Sequence, residues 1–202
     1  MKQYLCILDA GHGDPPLSGG KCSPDKRLLE YYWAREMVQR IAKKLQALGV
    51  PVHILVPEKT DIKLGVRTRR VNALCKQHGT KKCLLVSVHN NAAPPSNGKW
   101  HDATGWSCFV APKSSANSKR LAQLLYAEAA KAGLKGNRCV PACKYWVGNF
   151  AIVRDTNCPA VLTENLFMDN RQECDYLLSE QGKETLAQLH VNAIVNYINE
   201  QP

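Results

Sequence analysis

Alternating blocks of apolar and polar positions divide the first part of the chain into strands and helices. An apolar run at residues 3–8 predicts a buried β-strand that leads into the glycine-rich segment AGHGDPPLSGG. Between residues 28 and 48, apolar side chains recur at the spacing of one helix face, and Gly49 and Pro51 end that helix. The run PVHILV predicts a second strand, and residues 64–78 predict a second helix.

The alternation continues through the rest of the chain. CLLVSVH (83–89) and WSCFVA (106–111) predict strands, and the segment between them is rich in Asn, Pro, Gly and Ser and predicts a loop. The remaining assignments are a helix at 116–132, an irregular stretch at 134–150, short strands at 151–154 and 160–163, and one or two helices at 170–199. This order predicts an α/β fold with a mostly parallel central sheet flanked by helices. With no visible linker or repeat, residues 1–202 are expected to form a single domain.

Composition narrows the possible partners. The chain has 27 Lys and Arg against 17 Asp and Glu, a net charge of +10 that favours anionic partners. The basic residues are dispersed rather than clustered, so we expect no nucleic-acid partner. No apolar run approaches the ~18 residues of a membrane span. Nine cysteines without a C-x-x-C pair indicate mostly buried thiols of a reducing compartment, although Cys139 and Cys143 leave a disulfide or a metal site open.

Four ionisable residues are placed where α/β folds gather ligands. His12 follows the first predicted strand, and His89 and Glu164 end two others, so all three fall on the carboxyl edge of the sheet. Glu30, near the start of the first helix, can return to the same edge. Two imidazoles and one carboxylate are a common catalytic zinc set that leaves a fourth position for water. Taken singly, a strand-end His is more often structural and a helix-start Glu is more often a dipole partner.

The order of the motifs resembles a known family. LDAGHGD, a Glu that opens an amphipathic helix, VSVHNNA and PAVLTENLFMDN are similar to the zinc-dependent N-acetylmuramoyl-L-alanine amidases of the amidase type 3 family, as are LGVRTRRVN and NFAIVRD. The likeness runs from about residue 3 to about residue 199. It implies His12, Glu30 and His89 as ligands of one Zn²⁺ per chain, and Glu164 as the catalytic acid and base. It also implies peptidoglycan as the substrate, cleaved at the amide between N-acetylmuramic acid and L-alanine.

Several positions depart from the family pattern or carry two interpretations. The family commonly has Gly where this chain has Leu166, and more often has Ala where it has Asn90. Asn91 and Asn90 are predicted either to bind substrate or to cap their own loop. Arg67 is predicted either to bind a carboxylate of the stem peptide or to pair with an acid of the fold. Asp9 is predicted either to orient the ring of His12 by a hydrogen bond or to form a turn at the end of the strand.

Competing functions and the biological setting stay open in the sequence. The alternatives to the amidase are another zinc hydrolase, such as a peptidase or deacetylase, and a non-catalytic peptidoglycan-binding module. We expect a monomer that is synthesised in the cytoplasm without a leader and acts on the cell wall, as a phage endolysin does. The alternative is a secreted or periplasmic enzyme whose leader has been removed. Residues 134–149 are a candidate lid, Trp106 is expected in the core, and His101 is a candidate cleft residue.

Overall fold

A six-stranded sheet forms the centre of the protein. The computed structural model describes residues 4–14, 21–95, 97–137 and 140–201. The strands, in chain order, are β1 (Leu5–Ala10), β2 (Val52–Ile54), β3 (Cys83–Asn91), β4 (Ser107–Val110), β5 (Trp146–Val147) and β6 (Ala160–Phe167). Their order across the sheet is β2-β1-β3-β6-β4-β5. The first four of these run parallel, and β4 pairs antiparallel with β6. The predicted α/β fold with a mostly parallel sheet is therefore confirmed.

Six helices in the described ranges cover the two faces of the sheet. They are α1 (Glu30–Ala47), α2 (Leu64–His78), α3 (Ala116–Lys131), α4 (Ala151–Arg154), α5 (Arg171–Leu178) and α6 (Glu180–Glu200), with a short 3-10 helix at Thr80–Lys82. Alternate residues of β3 point to opposite faces, as the pleat requires. Leu84, Val86 and Val88 join the larger core cluster with α1, α3 and α6, whereas Cys83 and Leu85 join a second cluster with α2 and α4. No helix in the described part of the chain combines the length and the apolar character needed to cross a bilayer.

Most predicted elements are present, and three assignments need correction. The stretch at 134–150, predicted to be irregular, contains the two-residue strand β5. Residues 151–154 are not a strand but the helical turn α4, in which Val153 and Arg154 donate to the carbonyl of Phe150. A four-residue apolar run has no period that distinguishes a strand from a turn of helix. The strand that carries Glu164 also continues three residues beyond it: β6 has one extra residue opposite Asn90, and pairing resumes between Asn91 and Phe167. Cys139 and part of the candidate lid lie outside the described residues.

Candidate metal centre

His12 lies in the loop after β1, on a backbone that few residues adopt. Its φ is +56°, in the left-handed region that is unfavourable for side chains with a Cβ. The preceding Gly11 lies directly against the imidazole of His89, since a Cβ there would be 2.5 Å from two of its ring atoms. The rings of His12 and His89 meet edge to face with their centroids 5.0 Å apart. The glycine-rich loop thus lets two imidazoles from different strands come together.

Glu30 completes this group from the first residue of α1. Its Oε1 is 3.0 Å from His89 Nδ1 and 3.4 Å from His12 Nε2, and Glu30 itself is 1% exposed. One ligand atom from each of the three residues falls within 4.8 Å of the others. Burial alone would raise the pKa of Glu30, but the two neighbouring imidazoles outweigh it and hold that pKa below its usual range. The group predicted from the sequence is therefore one cluster in space.

Hydrogen bonds fix which nitrogen of His89 faces the cluster. Ser87 Oγ lies 2.6 Å from Asp9 Oδ2 and 3.1 Å from His89 Nε2. The single hydroxyl proton of Ser87 goes to the carboxylate, which only accepts, so Ser87 must accept from His89 Nε2–H. In the neutral imidazole that a metal ligand must be, Nδ1 then carries a lone pair directed at Glu30 Oε1. Asp9 therefore acts on His89 through Ser87, and an action of Asp9 on His12 stays a prediction.

The donor set fits a divalent cation. Two imidazoles and a carboxylate are ligands that zinc prefers. His89 Nδ1 and Glu30 Oε1 are 3.0 Å apart, so a proton or a metal ion must stand between them, and the neutral imidazole accommodates the metal ion. A divalent cation also provides the charge that buried carboxylates otherwise lack. These observations support His12, Glu30 and His89 as metal ligands, and the assignment stays a prediction.

Glu164 sits beside the cluster without joining it. In the sheet its partner residue is His89, across the β3–β6 pair. Its Oε2 is buried and has no hydrogen-bond partner among the described residues. Burial, and then the charge of Glu30, raise the pKa of Glu164 well above its ordinary value, while Lys21 acts in the opposite direction. An unpaired carboxyl group with a raised pKa suits a residue that exchanges a proton.

Arg67 supports the His12 loop from below. Its guanidinium is almost completely buried and forms an ion pair with Asp9 at 2.8 Å. It also donates to the backbone carbonyls of Ala10 and His12, and Arg35 donates to the His12 carbonyl as well. Of the two predictions made for Arg67, the structure therefore contains the ion pair with an acid of the fold, Asp9. A contact between Arg67 and substrate stays a prediction.

The two asparagines after His89 have different environments. Asn91 is half-buried, and its Oδ1 accepts from the amide of Ala92, as a loop cap does. Asn90 is buried, donates through Nδ2 to the carbonyl of Asn165, and through its backbone amide to Glu30 Oε1. Both residues line the cleft, so binding of substrate by Asn91 stays a prediction.

Sequence reasoning missed the role of Asn165. Its Nδ2 donates to the carbonyl of His89, and its Oδ1 accepts from Trp106 Nε1 at 2.9 Å. Trp106 is 1% exposed, which confirms its predicted place in the core. The signal was a polar residue next to Glu164 in a mostly apolar strand, and it pointed to no particular partner. His101 bonds to Asn97 and does not line the cleft that holds the cluster.

Comparison with known proteins points to the same family that the sequence motifs resemble. Residues 6–196 match the family described as N-acetylmuramoyl-L-alanine amidase. The chain is 31% identical over 206 residues to the endolysin of Bacillus phage SPP1, which covers 96% of this chain and 66% of that protein. It is 23% identical over 195 residues to the N-acetylmuramoyl-L-alanine amidase CwlM of Bacillus licheniformis, covering 96% and 68% of the two. The chain thus spans about two thirds of the length of these relatives.

A solved structure supports the fold. The crystal structure of an N-acetylmuramoyl-L-alanine amidase from Clostridium difficile 630 superposes with a TM-score of 0.83 over 100% of both chains, at 24% identity. A second amidase, from Mycobacterium smegmatis, gives a TM-score of 0.84 over 98% of both chains, at 17% identity. At these identities the likeness establishes the fold alone.

Proposed function

Because the chain belongs to the N-acetylmuramoyl-L-alanine amidase family, we propose that it hydrolyses the amide bond between N-acetylmuramic acid and L-alanine in peptidoglycan. The cleft at His12, Glu30 and His89 is the proposed site of this reaction. We infer one Zn²⁺ per chain, held by these three residues. The products are a glycan strand with a free lactyl carboxylate and a stem peptide with a free L-alanine amine.

Each group has a defined task in this reaction. Zn²⁺, when bound, polarises the amide carbonyl and lowers the pKa of a water molecule to about 7. Glu164 accepts a proton from the attacking water and delivers it to the nitrogen of L-alanine as the C–N bond breaks. Its burial and the nearby charge of Glu30 favour the protonated form of Glu164, which is the form that must donate. Ser87 and Asp9 hold the imidazole of His89 in one tautomer.

The observation that carries this proposal is the unpaired Oε2 of Glu164 beside the cluster of three ligands. The test is digestion of purified peptidoglycan by the wild type and by Glu164→Gln, with mass spectrometry of the new ends. Glu164→Gln keeps the shape of the side chain but removes its proton exchange. We expect it to retain zinc and to lose turnover by about 100-fold or more.

Three controls make the result specific. Glu184→Gln, at an exposed carboxylate on α6, is expected to leave the reaction unchanged. A chelator is expected to abolish release of peptides, and added zinc is expected to restore it. Peptides that do not begin with L-alanine, or release of acetate, would assign the site to a peptidase or a deacetylase. Wild-type turnover by Glu164→Gln would refute the role of Glu164.

We further propose that the enzyme acts as an endolysin, released to the cell wall rather than resident there. The supporting observations are the named endolysin relative and the net charge of +10, which favours an anionic envelope. Expression inside a bacterial host is expected to be harmless until the inner membrane is permeabilised, and then to cause lysis. Lysis without permeabilisation would contradict this setting.

A further inference from the structure

A single lysine lies at the mouth of the proposed active-site cleft. The cleft has a volume of about 210 Å³, and its lining includes Lys21 together with His12, Glu30, His89 and Glu164. Among the described residues that line the cleft, Lys21 is the one with a lysine or arginine side chain. Its ammonium is therefore a cation that an anionic part of a substrate can meet at the cleft.

The fold fixes the backbone of Lys21 against the metal cluster. Its carbonyl accepts from the amide of Glu30 at 2.9 Å, and the next residues along, Cys22 and Leu29, form an antiparallel bridge. Within the same loop, the hydroxyl of Ser23 donates to Asp25 Oδ1 and accepts from the amide of Leu28. Residues 21–30 are therefore a closed hairpin whose two ends are Lys21 and a proposed metal ligand. The location of Lys21 is set by the same contacts that place Glu30.

The side chain of Lys21 is available to a ligand. Lys21 is exposed, and within the described residues its ammonium has neither an ion pair nor a hydrogen bond. It lines the same cleft as Glu30 and Glu164, so its charge faces the proposed reacting groups across that cleft. The ammonium thus lies near the proposed reacting groups without forming an ion pair with a described carboxylate.

We propose that Lys21 binds the free carboxylate of the second residue of the stem peptide. This inference rests on the proposed function, because it takes the stem peptide as the substrate. In peptidoglycan the residue after L-alanine is D-glutamate joined through its side-chain carboxyl, which leaves its α-carboxylate free unless it is amidated. One residue advances an extended chain by about 3.5 Å, so this group falls near the rim when the scissile bond is at the cluster. Lysine binds it as a flexible point charge.

The test uses two synthetic N-acetylmuramoyl peptides that differ only in D-isoglutamate or D-isoglutamine at the second position. We expect the wild type to favour the acidic substrate by about three- to five-fold in kcat/KM, mainly through KM, as one exposed ion pair allows. Lys21→Met removes this preference, Lys21→Arg keeps it, and Lys21→Glu reverses it. Lys113→Met is the matched control: it removes one lysine charge from an exposed loop near Pro159, at the opposite edge of the sheet. This variant is expected to keep the preference for the acidic substrate.

The outcomes separate this inference from the proposed function. A wild type that cleaves neither substrate refutes the amidase itself, and Lys21 loses its role with it. A wild type that cleaves both without preference, or Lys21→Met that keeps the preference, overturns the role of Lys21 alone. Equal loss of kcat on both substrates would place Lys21 at the reacting carbonyl and also overturn the proposal. Thermal unfolding of each variant confirms that the hairpin is intact.

Discussion

Removal of the Ser87 hydroxyl is the most direct perturbation of the metal centre that leaves its ligands in place. Ser87 is fully buried, and its hydroxyl joins His89 Nε2 at 3.1 Å to Asp9 Oδ2 at 2.6 Å. In Ser87→Ala, the ring of His89 loses the acceptor that fixes its tautomer. Asp9 keeps its ion pair with Arg67, so the loop after β1 retains its main support.

The expected loss of zinc affinity follows from the role of such supporting groups. Mutation of a hydrogen-bond partner of a ligating histidine typically weakens metal binding by about 10- to 100-fold. That range equals about 1.4 to 2.7 kcal/mol. Stability of the metal-free protein is expected to fall by about 2 to 4 kcal/mol, since one neutral and one charge-assisted hydrogen bond are lost.

A matched serine separates the two effects. Ser118 is also buried, and its hydroxyl accepts from the amide of Ala160 at the opposite end of β6. Ser118→Ala should destabilise the fold without changing the affinity for zinc. The assay is competition for zinc against a chelator of known affinity, alongside denaturant unfolding of the metal-free protein. A zinc affinity of Ser87→Ala within about three-fold of wild type would refute the assignment of Ser87 as support for His89.

Two further predictions concern the stability of the fold. Arg67→Met leaves the buried carboxylate of Asp9 unpaired and is expected to cost about 3–5 kcal/mol in denaturant unfolding, part of which Asp9→Leu restores in the double variant. If Arg67→Met and the double variant with Asp9→Leu were equally stable, the unpaired carboxylate would not be the cause of the loss. Burial lowers the pKa of His190 to about 4 from its ordinary 6.5. The contribution of neutral His190 to the free energy of unfolding is therefore complete above pH 6.5, and about 3 kcal/mol of it is lost as the pH drops to 4. Unfolding of the metal-free protein across this range should be less pH-dependent in His190→Gln, and an unchanged slope would exclude His190 as the cause.

The sequence was sufficient for most of the elements and for the meeting of His12, Glu30, His89 and Glu164 at one edge of the sheet. Helix period and strand length predicted α2 at 64–78, which the structure has as Leu64–His78. The carboxyl edge of a parallel sheet is a general meeting point for side chains, so His12, His89 and Glu164 were expected together before any coordinates. Glu30 joined them because a helix that follows a strand returns to the same edge.

The supporting contacts could not be predicted, for a physical reason. Arg67, Ser87 and Asn165 act through particular atoms that meet across long sequence separations, and a polar residue in a strand or helix has many possible partners. Arg67 bonds Asp9 at a separation of 58 residues, and Asn165 bonds the carbonyl of His89 at a separation of 76. Register and rotamer decide these meetings, and no local pattern encodes either.

Leu166 shows how the backbone explains a departure from the family pattern. The family commonly has glycine there, and Leu166 has a φ of +63°, the left-handed region in which glycine is unstrained. A leucine in this conformation costs about 1–2 kcal/mol. Its side chain is 4% exposed within the larger core cluster, and burial of a leucine contributes about 1.5–3 kcal/mol. The gain from burial offsets the strain, so the turn after Glu164 and Asn165 is kept without glycine. The left-handed backbone two residues after Glu164 is therefore compatible with a residue other than glycine.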